Sequence, residues 1–226
     1  HVFVEKPLCM TSMELEDIRR AYKSASLRKP GPPKLMVGFN RRFAPLVREL
    51  KAAVDRTSGP MSLVMTINAG LLPADHWINN SEVGGGRILG EICHFIDLMR
   101  FLVGSRFVGY SKKSMGGGFS DSVSISLEFE DGSLGSIIYL SNGHKSFPKE
   151  RLEVFASGGI MQLDNFRTLR AYGWPGHRGR RLWRQDKGQT HCVREFLQSV
   201  AMGSQNPIPV DELWEVSQVT IDLAVD

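Results

Sequence analysis

The spacing of apolar positions changes along the chain, and each change marks a different kind of structure. Residues 1–4, His-Val-Phe-Val, are short and apolar, and they run into Glu5-Lys6-Pro7. That is the pattern of a buried strand ending at a turn. Thr11 with Glu14 three positions on forms a capping box, and Leu15, Ile18 and Ala21 give the segment behind it helical spacing. A basic, proline-rich loop over 28–33 precedes a second buried strand at 35–39. Strand, helix and strand make a βαβ unit, the building block of a parallel sheet.

The pattern then shifts. Pro45 opens a helix to about residue 56 with Leu46, Val47, Leu50 and Val54 on one face. A strand at 61–69 leads into an irregular stretch over 70–86 that ends in Gly84, Gly85 and Gly86. A strongly apolar helix over 87–103 stops at Gly104. Five strands follow, at 107–112, 122–129, 133–141, 151–156 and 160–164, with hairpin turns at Asp131-Gly132 and Ser157-Gly158-Gly159. Consecutive hairpins predict an antiparallel sheet. Residues 122–127 alternate strictly, so one face of that strand is apolar and the other small and polar. Residues 133–140 are more continuously apolar, as if a second subunit covered them. Residues 177–187 read as a basic loop, and helices at 190–202 and 211–225 close the chain. The predicted fold class is an α/β remnant of a parallel sheet followed by an α+β domain with a large, mostly antiparallel open sheet.

Composition narrows the picture only a little. The 226 residues carry a net charge of +4, and 42% are hydrophobic, which suits an ordinary folded domain. Three cysteines stand far apart with no CxxC, against a disulfide framework and a structural zinc site. A reducing cytoplasm is the expected compartment. No apolar run approaches 18 residues, so no membrane contact is expected. The chain opens inside a strand, and it is expected to lack a preceding segment.

Four groups of residues can carry chemistry. Lys6 stands at the C-terminal end of a parallel strand, where ligands bind in open α/β sheets; it reads either as a donor to a substrate hydroxyl or as a surface lysine before a turn. Glu91, His94 and Asp97 follow the glycine run at helical spacing. At about 100° per residue, Glu91 and His94 share a face, the arrangement of a general base and its orienting acid; a structural helix end with one satisfied histidine fits the same letters. One histidine is too few for zinc. Asn68, His76 and Trp77 lie on a polar loop able to line a site for a hydroxylated ligand, or to pack as an ordinary surface loop. The 177–187 stretch has four arginines and Trp183; a solvated connector is preferred over nucleic-acid contact. No GxGxxG fingerprint occurs anywhere in the chain.

Glu5-Lys6-Pro7, then Gly38-Phe39-Asn40-Arg41-Arg42-Phe43, then the glycine run with His94 and Asp97, in that order, resemble the Gfo/Idh/MocA oxidoreductases. The resemblance extends weakly through 153–164 and Lys187-Gly188. It implies residues 1–43 as the end of a Rossmann domain and 44–226 as the substrate and oligomerisation domain. It also implies NAD or NADP as cofactor, with Glu5, Lys6, Pro7 and Arg41 on the cofactor side. Lys6, His94 and Glu91 would be catalytic, and Asn68, His76, Trp77 and Asp97 would meet a small hydroxylated substrate. Many members have an aspartate four residues before the histidine; here that position is Gly90, and Glu91 is the nearest acid. A homo-oligomer through the open sheet is implied, with no nucleic-acid partner. The glycine fingerprint and about ninety residues that such proteins carry before Glu-Lys-Pro are missing, so the chain alone is expected to be inactive. The alternative is a non-catalytic binding or assembly module using the open sheet.

Overall fold

In the computed structural model, residues 1–28, 31–70, 86–116 and 121–225 are described. His76 and Trp77, with Gly84 and Gly85, lie outside them. Strand β1 (Val2–Val4) pairs in parallel with β2 (Leu35–Val37), and helix α1 (Ser12–Ser26) connects them. Thr11 and Glu14 cap α1 reciprocally, as their spacing predicts. Only Leu15 of α1 is fully buried, whereas Ala21 is exposed. A 3₁₀ turn (Asn40–Phe43) and α2 (Pro45–Val54) follow.

The large sheet has eight strands in the order β10-β9-β8-β7-β3-β6-β5-β4. They are β3 (Ser62–Asn68), β4 (Phe107–Ser114), β5 (Val123–Phe129), β6 (Leu134–Leu140), β7 (Glu150–Ala156), β8 (Gly159–Asp164), β9 (Thr168–Tyr172) and β10 (Arg180–Arg181). All pairings are antiparallel except β3 with β6. This gives the small parallel α/β part and the mostly antiparallel sheet read from the sequence, with two further strands, β9 and β10, at one edge.

One face of the sheet is apolar and covered. Leu63, Met65, Ile67, Ile125, Leu127, Ile137, Leu152 and Val154 join one buried core with α2, α3 (Cys93–Val103), α4 (Gln189–Met202) and α5 (Val210–Ala224). Met36, Val37, Phe39 and Phe43 belong to that same core. Helix α3 is buried on nearly every side, as an all-round apolar helix must be, and it ends at Gly104 in the left-handed region with φ 78°.

Among the described residues no helix covers the other face. Strand β6 alternates instead of being buried on both sides: Gly135, Ile137 and Tyr139 point inward, while Leu134 is 55% exposed. Register aligns Leu134, Ser62, Phe155, Ile160 and Tyr172 in one row across five strands. Beside that row the face is polar, with the charged Arg151, Glu153 and Arg170 and the neutral Gln162. It is therefore less apolar than the sequence pattern suggested. No helix among the described residues is long and apolar enough to cross a membrane.

Candidate active site

The site forms where three structural ends meet: the end of β1, the 3₁₀ turn after β2, and the start of α3. The sheet contributes the C-terminal ends of the parallel strands β3 and β6 and the start of β7, which lie together by register.

The helix carrying His94 begins as a π-turn, Ile88–Ile92, before becoming α-helical at Cys93. Such i→i+5 turns interrupt helices frequently at functional sites. The wider turn breaks the 100° step on which a shared Glu91–His94 face rested. Glu91 is turned toward the sheet: Tyr139 donates its hydroxyl to Oε2, Lys149 Nζ is 2.7 Å from Oε1, and Arg87 Nη1 is 3.5 Å away. Burial works against the Glu91 charge, but the hydrogen bonds from Lys149 and Tyr139 outweigh it and hold the carboxyl below its ordinary range. Burial, then the adjacent Glu91 charge, pushes the Tyr139 phenol up. No hydrogen bond joins Glu91 to His94, so the orienting role expected from spacing has no direct contact behind it.

His94 is 6% exposed, and its buried Nδ1 has no hydrogen-bond partner. Its ring packs edge-on against Phe39, 6.2 Å between centroids. Burial first, then the charges of Arg41, Lys6 and Lys187, hold the imidazole well below its ordinary value of 6.5. His94 is thus a neutral base in a positive surrounding. Lys6, part-buried after β1, donates its ammonium to the Gly90 carbonyl one turn before His94. The structure thereby brings Lys6 and His94 to one place although 88 positions separate them. The Lys6–Pro7 peptide is cis. Glu5 is exposed beside Gly38, where an added Cβ would lie 2.8 Å from its carboxylate.

Other expected site residues have structural partners. Arg41, 7% exposed, lies over Phe95 and donates to Glu150 at 3.0 Å. Lys187 Nζ is 2.5 Å from the other Glu150 oxygen. Asp97 is fully buried and bound by Nε and Nη2 of the Arg42 guanidinium, whose Nη1 reaches Glu212 at 2.8 Å. Burial pushes the Asp97 carboxyl up to about 6 despite Arg42. Asp97 therefore ties α3 to the 3₁₀ turn and α5 and is not presented to a substrate. Asn68 is buried as well, donating to the carbonyls of His144 and Phe147 at 2.8 and 3.3 Å.

Glu150, Lys187, Lys149, Tyr139 and Arg87 were not anticipated as site residues. Only Lys187-Gly188 left a trace in the sequence. Gly188 has φ +84°, and a Cβ there would meet Asn40 O at 2.4 Å and Ala44 N at 2.5 Å. This close approach, with Asn40 donating to Lys187 O at 2.7 Å, turns Lys187 inward from an otherwise exposed stretch. Trp183 in that stretch is 88% exposed, and Arg180 pairs with Glu49 at 3.3 Å. Burial pushes the thiol of Cys9 up to about 11 and those of Cys93 and Cys192 to about 12. Among the described residues no His, Cys, Asp and Glu cluster could hold a metal ion.

The sequence model of the GFO/IDH/MocA C-terminal domain matches residues 47–162, just over half of the chain. The chain belongs to the GFO/IDH/MocA family. It is 30% identical over 218 residues to a myo-inositol 2-dehydrogenase of Thermotoga maritima, covering 90% of this chain and 63% of the relative. An inositol 2-dehydrogenase of Rhizobium meliloti is 31% identical over 180 residues, 74% of this chain and 51% of that protein. The chain thus spans between half and two thirds of these relatives. Among solved structures, a levoglucosan dehydrogenase in complex with NADH superposes with a TM-score of 0.79 at 17% identity, over 99% of this chain and 70% of that one; this likeness speaks for the fold.

Proposed function

We propose that the chain carries the substrate-binding and proton-transfer part of an NAD(P)-dependent oxidoreductase acting on a hydroxyl of a sugar, polyol or related small molecule. The observation that carries this reading is the pairing of Lys6 with the turn that presents His94, a buried, neutral imidazole whose Nδ1 is unpartnered. A nicotinamide fits that place: Lys6 closes a parallel strand, and cofactors bind beyond such ends. Glu5, Lys6 and Pro7 would border it; Arg41 is committed to Glu150 and would act at longer range. NAD or NADP, when bound, supplies the acceptor for the hydride leaving the carbinol carbon.

The chain's own residues do the rest. Lys6 donates a hydrogen bond to the reacting hydroxyl oxygen, and His94 takes its proton as the carbonyl forms. The cations Lys6, Arg41 and Lys187 stabilise negative charge developing on that oxygen. Residues 1–43 would close the cofactor half, and residues 44–226 would form the substrate and oligomerisation domain. Without a GxGxxG turn, the 226 residues by themselves would bind dinucleotide weakly and be inactive. The names of the relatives, inositol and levoglucosan dehydrogenases, support a polyol or sugar substrate.

The row of Leu134, Phe155, Ile160 and Tyr172 on the open face favours a homo-oligomer formed through the sheet. The test of the catalytic reading is substrate-dependent absorbance at 340 nm with these residues as part of a protein that also supplies the dinucleotide-binding turn, loaded with cofactor, and a panel of polyols and sugars. Turnover with either nicotinamide cofactor is expected. Its absence across the panel, with intact folding and bound cofactor, would favour the assembly role of the sheet alone.

A further inference from the structure

Two lysines are fastened to consecutive residues of the π-turn that leads into His94. Lys6 donates to the carbonyl of Gly90, and Lys149 Nζ lies 2.7 Å from Glu91 Oε1. An ammonium has three N–H donors. Among the described residues each lysine uses one of them, which leaves two on each for a ligand. The Lys149 side chain is 45% exposed, while Lys6 is part-buried. Tyr139 and Arg87 occupy the second oxygen of Glu91. Glu91 is therefore a post that fixes Lys149, not an open acid.

The surrounding charge is unbalanced. Lys6, Arg41, Arg87, Lys149 and Lys187 face two well-shielded carboxylates, Glu91 and Glu150, the half-exposed Asp121, 3.7 Å from Arg87 Nε, and the exposed Glu5 next to Lys6, five cations to four carboxylates. Asp97 adds nothing to this balance, because Arg42 already holds both of its oxygens. Buried charge without a counter-ion is costly, and an arriving anion relieves it. A neutral sugar brings only hydroxyl dipoles.

We propose that the substrate of this site is a polyhydroxy monocarboxylate, a sugar acid, whose carboxylate is received by Lys149 and whose reacting hydroxyl lies at Lys6 and His94. The assignment rests on the catalytic reading of Lys6 and His94 given above. Guanidinium groups hold carboxylates and phosphates alike, but both arginines of the cleft are engaged, Arg41 with Glu150, and Arg87 with Tyr139 at 2.9 Å and the Gly70 carbonyl at 3.2 Å, so the anion is left to the lysines. A single anchored ammonium with two unused donors matches the two oxygens of a carboxylate.

The experiment is calorimetric titration of the chain with D-glucuronate, D-gluconate, D-glucose, myo-inositol and D-glucose 6-phosphate at low and high salt. At least one acid is expected to bind about tenfold or more tightly than the neutral compounds, the scale of a charge-assisted hydrogen bond. Salt should weaken that preference. Lys149→Met should abolish it and Lys149→Arg should keep it, with circular dichroism showing both variants folded. Neutral compounds binding as well as the acids, phosphate ester binding best, no binding by either acid, or a preference untouched by Lys149→Met would each overturn the proposal. A turnover arm separates the two readings. Acid binding without oxidation, when these residues are joined to a dinucleotide-binding turn and loaded with cofactor, would remove the oxidoreductase reading and leave the acid site. Oxidation of neutral polyols alone would do the reverse.

Discussion

Replacing Glu150 by glutamine keeps its shape and removes one charge, and the structure sets the cost. The Glu150 side chain is completely buried. Arg41 Nη2 is 3.0 Å from one oxygen and Lys187 Nζ 2.5 Å from the other. In Glu150→Gln the amide oxygen still accepts from Arg41, but the amide nitrogen confronts Lys187 with a donor. Two cations then lose the counter-ion they share. Breaking a buried pair by removing one partner costs about 3–5 kcal/mol. Lys187 keeps 19% exposure and can turn toward water, whereas Arg41 is held over Phe95 and Phe166. The lower end, roughly 3 kcal/mol, is therefore expected. For a chain of this size each kcal/mol shifts Tm by about 2–4 °C, so a fall of roughly 6–12 °C is predicted. Thermal unfolding followed by circular dichroism measures it, with the exposed pair variant Arg180→Ala as a control that should change Tm by no more than about 2–4 °C. A Glu150→Gln protein as stable as the parent would refute the claim that this carboxylate holds the cations beside His94.

Three further outcomes follow from the same geometry. Because burial and then Arg41, Lys6 and Lys187 hold His94 well below 6.5, the folded imidazole stays neutral where the unfolded one takes up a proton; stability should fall as pH drops below about 6.5, and the acid limb of kcat/KM should lie well under it. An acid limb at 6.5 or above contradicts this. Light scattering at micromolar concentration should find an oligomer, with Phe155→Glu shifting it to monomer; a monomeric parent protein removes the open-sheet interface, which would bury on the order of 1,000 Å². Calorimetric titration of the 226 residues with NADH and NADPH should show no micromolar binding, and such binding would place the dinucleotide site within these residues.

What was legible in the sequence was whatever local spacing encodes. The Thr11–Glu14 box, the alternation of 122–127 and the Asp131-Gly132 turn each fix a neighbouring backbone, and the structure has them. Non-local pairings were hidden. Strand β10 is two arginines in register with Leu169 and Thr168, and no hydrophobic pattern announces it. Tertiary packing also overrode helical spacing: the π-turn at Ile88–Ile92 sends Glu91 to Tyr139 and Lys149, although the letters fit a regular helix equally well. Asp97 looked like a site acid because its buried partner, Arg42, lies 55 positions earlier. Glu150 stood unnoticed at a strand start for the same reason: its meaning depends on Arg41 and Lys187, which the chain brings from both directions.

The central claim is that Lys6 and His94 act on one reacting hydroxyl. A double-mutant cycle on kcat/KM, with Lys6→Met, His94→Ala and the two combined, made in a protein that joins these residues to a dinucleotide-binding turn, tests it most directly. Removing the general base should cost about 10²–10⁴-fold. Residues that act as a unit are strongly non-additive, so the double variant should lose little more than the worse single one. Independent, fully additive losses, or turnover unchanged in His94→Ala, would contradict the account.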